Sequence, residues 1–260
     1  MASKSIRSIK ELVVFVTGAA SGLGKAAVDR FVREGCKGVI AFDLNSFDNS
    51  DLKNKQQVVC VTGDVKSEES VSNAMKLCES KFGKLDAVLN CAGIGIAMKT
   101  LNEKTGEPHD LSLYEQVINI NLVGTFNVNR LGAALIAKNE PLNGLRGVLV
   151  NTASVAAFEG QRGQTAYSSS KGGIVGMTLP MARDLATVGI RVNTIAPGLF
   201  LTPLLQQLPE KVQTKLATTI PCPQRLGDPD EYAHLAQFIL ENPMMNGEVV
   251  RIDGALRMQP

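Results

Sequence analysis

Short β-branched runs alternate along this chain with longer amphipathic stretches, and no other feature restricts its fold as tightly. The runs are LVVFV (12–16), GVIAFD (38–43), VVCVTGDV (58–65), AVLN (87–90), GVLVNTAS (147–154), RVNTIAP (191–197) and EVVRID (248–253). Between most of them stand segments with helical spacing, such as GKAAVDRFVREG (24–35) and SEESVSNAMKLCESKFG (67–83). A strand that returns parallel to its predecessor needs a crossover long enough to hold a helix, and such crossovers are right-handed. The pattern therefore predicts an α/β fold: a doubly wound, mostly parallel, seven-stranded sheet flanked by helices on both faces. No internal repeat, low-complexity tract or linker divides residues 1–260, which read as a single domain.

Composition removes several function classes. With 260 residues, 44% of them hydrophobic and 20% charged, the chain has material for a large core. Its formal net charge is +2 and its lysines and arginines are scattered, so neither direct DNA binding nor a polybasic membrane patch is expected. No apolar run reaches the length of a membrane span. The five cysteines (Cys36, Cys60, Cys78, Cys91, Cys222) are odd in number and lack CxxC spacing, which points to reduced thiols inside the cell. With His109 and His234 as the only histidines, no metal site is expected. The opening MASKSIRSIK carries Lys4, Arg7, Lys10, three serines and no acid, a composition common to mitochondrial addresses and to ordinary solvated tails.

Every candidate binding motif falls at the carboxyl end of one of the runs, where open α/β sheets hold ligands. The first run leads straight into TGAASGLG (17–24), with Gly18, Ser21, Gly22, Leu23 and Gly24. Glycines there permit a sharp turn, let backbone approach a pyrophosphate, and allow the next helix to pack closely with its N–H groups facing the phosphates. The spacing is GxxxGxG, not GxGxxG, and a plain strand-to-helix turn would also explain it. Asp43 closes the second run about 20 residues past Gly24, where a carboxylate accepts hydrogen bonds from an adenosine ribose. Leu44 and Ser21 leave the nearest positions for a 2′-phosphate uncharged, which favours NAD over NADP. Lys25 keeps the second possibility open. Asp64 offers a carboxylate to the adenine amino group and Val65 an apolar side chain to the ring. Asn90, Cys91, Ala92 and Gly93 place a small, flexible backbone beside the cofactor.

Tyr167, one of three tyrosines, stands at i with Lys171 at i+4 in TAYSSSKGG, so a helix would stack the two on one face. A free phenol is too weak a base at neutral pH, whereas an adjacent ammonium favours its charged form. With TGAASGLG, Asp43, Asp64, NCAG, Ser154, YSSSK and Pro197-Gly198 in this order, the chain resembles the classical short-chain dehydrogenase/reductase family over nearly its full length. That resemblance implies a Rossmann-type dinucleotide-binding and catalytic domain over 1–260. It also implies roles: Asn121 holding a water in a proton relay, Ser154 bonding the substrate oxygen, Tyr167 as general acid/base, and Lys171 binding the nicotinamide ribose while lowering the tyrosine pKa. Phe200 and Thr202 would contact the nicotinamide end and Gln161 the substrate.

The strings NTASVAAFEGQ (151–161), YSSSKGGIVGMTLP (167–180), IAPGLFLTPLL (195–205), RLGDPDEYAHL (225–235) and RIDGALRMQP (251–260) are similar to a branch of that family acting on 3-hydroxyacyl-CoA and hydroxysteroids. By that resemblance the substrate is an acyl-CoA, a steroid or another secondary alcohol, the assembly is a homotetramer and the location the mitochondrial matrix. The stretch 97–116 is similar to an insertion of that branch and would flank the substrate entrance, with Lys99 and Lys104 available to phosphates. Residues 199–221 read as a lid or pocket wall. The apolar carboxyl-terminal strand and tail suggest a sheet edge paired across a subunit contact. Two alternatives stand beside this reading: a non-catalytic scaffold subunit of a mitochondrial tRNA-processing complex, with the partner proteins that implies, and an NADPH-dependent 3-oxoacyl reductase.

Overall fold

The computed structural model describes residues 7–47 and 55–260. The first six residues of the basic leader lie outside them. All seven expected strands form: β1 (Val13–Thr17), β2 (Gly38–Asp43), β3 (Val58–Thr62), β4 (Ala87–Asn90), β5 (Gly147–Thr152), β6 (Ile190–Pro197) and β7 (Val249–Ile252). Every pairing is parallel, in the order β3-β2-β1-β4-β5-β6-β7. The chain winds outward from β1 to β3, then returns to the other side of β1 with β4. The crevice between β1 and β4 is thus the topological switch point of the sheet.

Helices cover both faces, as all-parallel pairing requires. On one side α1 (Gly22–Arg33) packs against α8 (Pro229–Glu241), with Ala27, Phe31, Ala233 and Ala236 in one core together with Val14 and Val16 of β1. On the other, α2 (Glu68–Phe82) and α4 (Gly124–Ile136) close over Phe15, Phe42, Val88 and Leu149. Complete burial of a side chain such as Phe31 contributes about 2–3 kcal/mol. Local chemistry fixes the helix ends. The Ser67 hydroxyl accepts from Ser70 N–H (3.1 Å), and Asp228 with Glu231 forms a reciprocal capping box on α8. Helix α2 stops at Gly83, whose φ of +75° suits glycine.

Two strands end before the apolar pattern does. β3 stops at Thr62, just before Gly63, where the Phe42 ring 2.6 Å from the place of a Cβ leaves no room for a side chain. β5 stops at Thr152 because Ser154 turns the chain into a short 3-10 segment, Val155–Ala157, its hydroxyl accepting from Ala156 N–H (3.1 Å). The carboxyl-terminal strand lies at the edge of the sheet. β7 is a half-exposed edge, and the tail beyond it folds back over its own chain, burying Leu256 there.

Candidate active site

The turn after β1 is shaped by contacts that exclude a Cβ. Gly18 has φ +65°, and a Cβ on it would lie 2.8 Å from Ala92 N. A Cβ on Gly24 would strike the Gly18 carbonyl. The Thr17 hydroxyl accepts from Cys91 N–H and Ala92 N–H, both at 3.1 Å, and so ties this turn to the loop after β4. Ser21 caps α1 by position, but its side chain makes no capping bond, which leaves first-turn N–H groups to face a ligand. Asp43 accepts from Ala20 N–H (3.0 Å) and Asn45 N–H (2.9 Å) while staying half-exposed at the end of β2. Lys25 is turned along its helix onto Asp29 (2.9 Å), and Leu44 is exposed. This cradle fits the pyrophosphate and adenosine end of a dinucleotide.

Flanking residues divide between cleft and core. The Asp64 carboxylate accepts from Lys66 N–H (2.9 Å) and stays partly exposed, whereas Val65 is buried against Gly124 and joins the core. Asn90 turns away from the cleft: its amide donates to Asn129 (2.8 Å) and Asn151 (3.1 Å) in a buried asparagine cluster. From the 90–93 loop, Cys91 and Gly93 line the crevice.

Beyond the loop lies a cleft of about 380 Å³. Helix α5 (Thr165–Ala186) places Tyr167 and Lys171 on its cleft-facing side, and Ser154 comes from the turn after β5. The Lys171 ammonium donates to the Thr152 carbonyl (2.8 Å) and stands 5.6 Å from the Tyr167 ring centroid. Ser154 and Tyr167 line the same cleft. Asn121 lies in a π-helical turn, Asn119–Val123, between α3 (Leu111–Ile118) and α4. Such turns are frequent at functional sites. Its side chain accepts from Ile94 N–H (2.8 Å) and donates to the Ile94 carbonyl (2.9 Å) and the Ser170 hydroxyl (3.0 Å). Asn121 thus braces the strand-end loop from below, where a Cβ on Gly93 would sit 3.1 Å from its Oδ1 and 3.5 Å from Lys171 Nζ.

Burial dominates the electrostatics of this pair. Burial pushes the Tyr167 phenol above its ordinary value, partly offset by the Ser154 hydroxyl, and burial brings Lys171 down to about 8. Loss of hydration disfavours the charged form of each partner.

Some neighbours were not legible. Gln161, expected at the substrate, donates to the Gln259 carbonyl (2.9 Å) instead, and Gln164 lines the cleft, its Oε1 accepting from Gln161 N–H (2.9 Å). Gln164 precedes Tyr167 by one helical turn, so the spacing held the signal. Tyr232 of α8 is fully buried, and its hydroxyl meets the Thr152 hydroxyl at 2.6 Å and Cys91 Sγ at 3.4 Å. Phe200 packs edge-on against Tyr232 (6.5 Å) and, with Leu23, Pro197, Gly198 and Thr202, lines the cleft. The segment 199–221 folds as α6 (Pro203–Gln206) and α7 (Glu210–Ala217), and α7 buries no residue. In the 97–116 stretch, Met98 N–H donates to the Gly163 carbonyl (2.8 Å) and Ala97 reaches the cleft. Lys99 is paired with Glu103 (3.1 Å).

Comparison with known proteins agrees with this arrangement. A family model described as short chain dehydrogenase matches residues 12–213. The chain is 57% identical over 256 residues to 3-hydroxyacyl-CoA dehydrogenase type-2 of Homo sapiens, covering 98% of each. It is also 57% identical over 255 residues to the protein of that name from Drosophila melanogaster, covering 97% of this chain and 100% of the other. A crystal structure of 3-hydroxyacyl-CoA dehydrogenase type-2 from Mycobacterium avium superimposes with a TM-score of 0.89 at 42% identity, covering 97% of this chain and 98% of that one. Cleft, glycine turn and sequence likeness together make this chain a member of the short-chain dehydrogenase family, an oxidoreductase working with a nicotinamide cofactor.

Proposed function

We propose that residues 1–260 form one dinucleotide-binding and catalytic domain that uses NAD to interconvert 3-hydroxyacyl-CoA and 3-oxoacyl-CoA, and accepts hydroxysteroids and other secondary alcohols. The observation that carries this reading is the convergence of Ser154, Tyr167 and Lys171 on one cleft beside a glycine turn. The names borne by relatives at 57% identity supply the acyl-CoA class. NAD is supported by Asp43 at the ribose position, by exposed Leu44 beside it, and by engagement of Lys25 with Asp29.

The bound cofactor supplies hydride exchange and, when oxidised, a positive charge near the phenol. Tyr167 takes the proton of the substrate hydroxyl at its phenolate oxygen in the oxidative direction and returns it in the reductive one. The Ser154 hydroxyl holds the reacting oxygen. Lys171, fixed by the Thr152 carbonyl, would hold the nicotinamide ribose and keeps positive charge within reach of the phenol. Asn121 holds the floor of the cleft through Ile94, and in this reading helps to hold a water of the proton path. The homotetramer and the mitochondrial matrix location belong to the same proposal. Exposed Val123 and Phe126, a turn apart, support a partner face, and the basic leader supports the address. Light scattering and cell fractionation test them.

The decisive assay follows nicotinamide absorbance as the protein meets acetoacetyl-CoA with NADH and then NADPH. Oxidation of NADH, ineffective NADPH and loss of turnover in Tyr167→Phe would uphold the reading. A preference for NADPH would overturn the cofactor assignment. Inactivity with both cofactors would overturn the acyl-CoA assignment.

A further inference from the structure

The final residues of the chain run alongside the cleft and are held there by a network of ion pairs. Arg251, on β7, pairs with Glu159 (2.7 Å) and Asp253 (2.7 Å), and donates to the Leu256 carbonyl (2.9 Å). Arg257 reaches both carboxylates from the other side, at 3.4 Å to Glu159 and 3.3 Å to Asp253. Glu159 also accepts from Met258 N–H (3.2 Å), and the Gln161 amide holds the Gln259 carbonyl (2.9 Å). Leu256 is 1% exposed and anchors the turn. A chain end with this many partners is positioned, in contrast to the fraying usual at termini.

The result is that Met258 becomes part of the cleft wall. Its neighbours place it at the substrate end. Glu159 follows closely on the turn that carries Ser154, and Gln161 joins the tail to Gln164, which lines the cleft one helical turn before Tyr167. Methionine is unbranched and adaptable, suited to an apolar wall that meets an alkyl chain.

We propose that the carboxyl-terminal tail is the end wall of the substrate site, and that Met258, held by the Arg251–Glu159 clasp, sets the length of acyl chain accepted. This inference rests on the acyl-CoA reading above. Shortening Met258 opens room along the chain path and enlarging it closes that room, while the reacting carbon stays between Ser154 and Tyr167.

The test compares wild type, Met258→Ala, Met258→Phe and Glu159→Gln on acetoacetyl-CoA, 3-oxooctanoyl-CoA and 3-oxododecanoyl-CoA with NADH. The readout is the ratio of kcat/KM for the longest substrate to that for the shortest. The ratio is expected to rise by about tenfold in Met258→Ala and to fall by a similar factor in Met258→Phe, the discrimination an apolar pocket achieves per methylene. Glu159→Gln, which loosens the tail, should move it in the direction of Met258→Ala. A ratio unchanged in both Met258 variants, or displaced the same way in both, overturns the proposal while wild-type turnover of acetoacetyl-CoA leaves the acyl-CoA reading standing. A wild type that turns over none of the three overturns that reading and the tail proposal with it.

Discussion

Tyr167 and Lys171 are two titratable groups pressed toward neutrality by the same burial. An oxidised nicotinamide bound in the cleft would add a positive charge that favours the phenolate. Replacing Tyr167 with phenylalanine removes the proton acceptor and little volume. Expected is a fall in kcat of about 10²–10⁴-fold with NADH affinity retained, read by steady-state kinetics beside a fluorescence titration. Lys171 gives a pH prediction with a definite sign. Its pKa falls from an ordinary 10.5 to about 8 on folding, so between those values the unfolded chain binds the proton and the folded one does not. Stability should rise with pH across that window, and the burial penalty should be fully present below pH 8. Urea unfolding at both ends of the window tests this, because Lys171→Met should lack the increment.

At the scale of elements, the junction of β1 and α1 brings three pieces of backbone together. Thr17 ties it to the loop after β4, Asp43 ties it to the end of β2, and the close approach of Gly24 to Gly18 sets the angle of α1. In Gly24→Ala the new Cβ meets a carbonyl that cannot move without displacing the strand. Expected is destabilisation of about 1–3 kcal/mol together with weaker NADH binding. A thermal melt and a cofactor titration measure the two. The interleaved β5 turn and α5 show the same economy, since Thr152 carries both the carbonyl that holds Lys171 and the hydroxyl that meets Tyr232. Helix α8 thereby reaches the site from beneath the sheet without lending it a catalytic side chain.

Across the whole molecule, chemistry and stability sit at opposite ends of the sheet. The cleft lies at the carboxyl ends of the strands. At the amino ends Asp86, 2% exposed, pairs with Arg7 (2.9 Å) and Lys84 (2.8 Å) and accepts from Val13 N–H (2.9 Å), joining the amino-terminal segment to β1 and β4. Arg191 nearby donates to the Ile239, Leu240 and Met245 carbonyls, tying β6 to the end of α8. Asp86→Ala leaves two cations without their carboxylate. It should cost about 2–3 kcal/mol of stability, since hydrogen bonds to charged groups are the costly ones to lose. The folded variant should keep its kcat, which kinetics below the melting transition would check.

The sequence by itself determined the seven strands, the glycine turn, the Asp43 position and the Tyr167–Lys171 pair. Each of these is a local property: a run of β-branched residues, a residue that must lack a Cβ, a spacing of one helical turn. Tertiary structure alone decided which way side chains turn once strands have neighbours. Asn90 faces Asn129 and Asn151 rather than the crevice, Gln164 lines the cleft while Gln161 holds the tail, and Met258 of that tail reaches the cleft. The direction of the Tyr167 shift belongs to the same class, because desolvation depends on everything packed around the phenol, most of it distant in sequence. Spacing along a chain fixes what can share a face, and only packing fixes what that face meets.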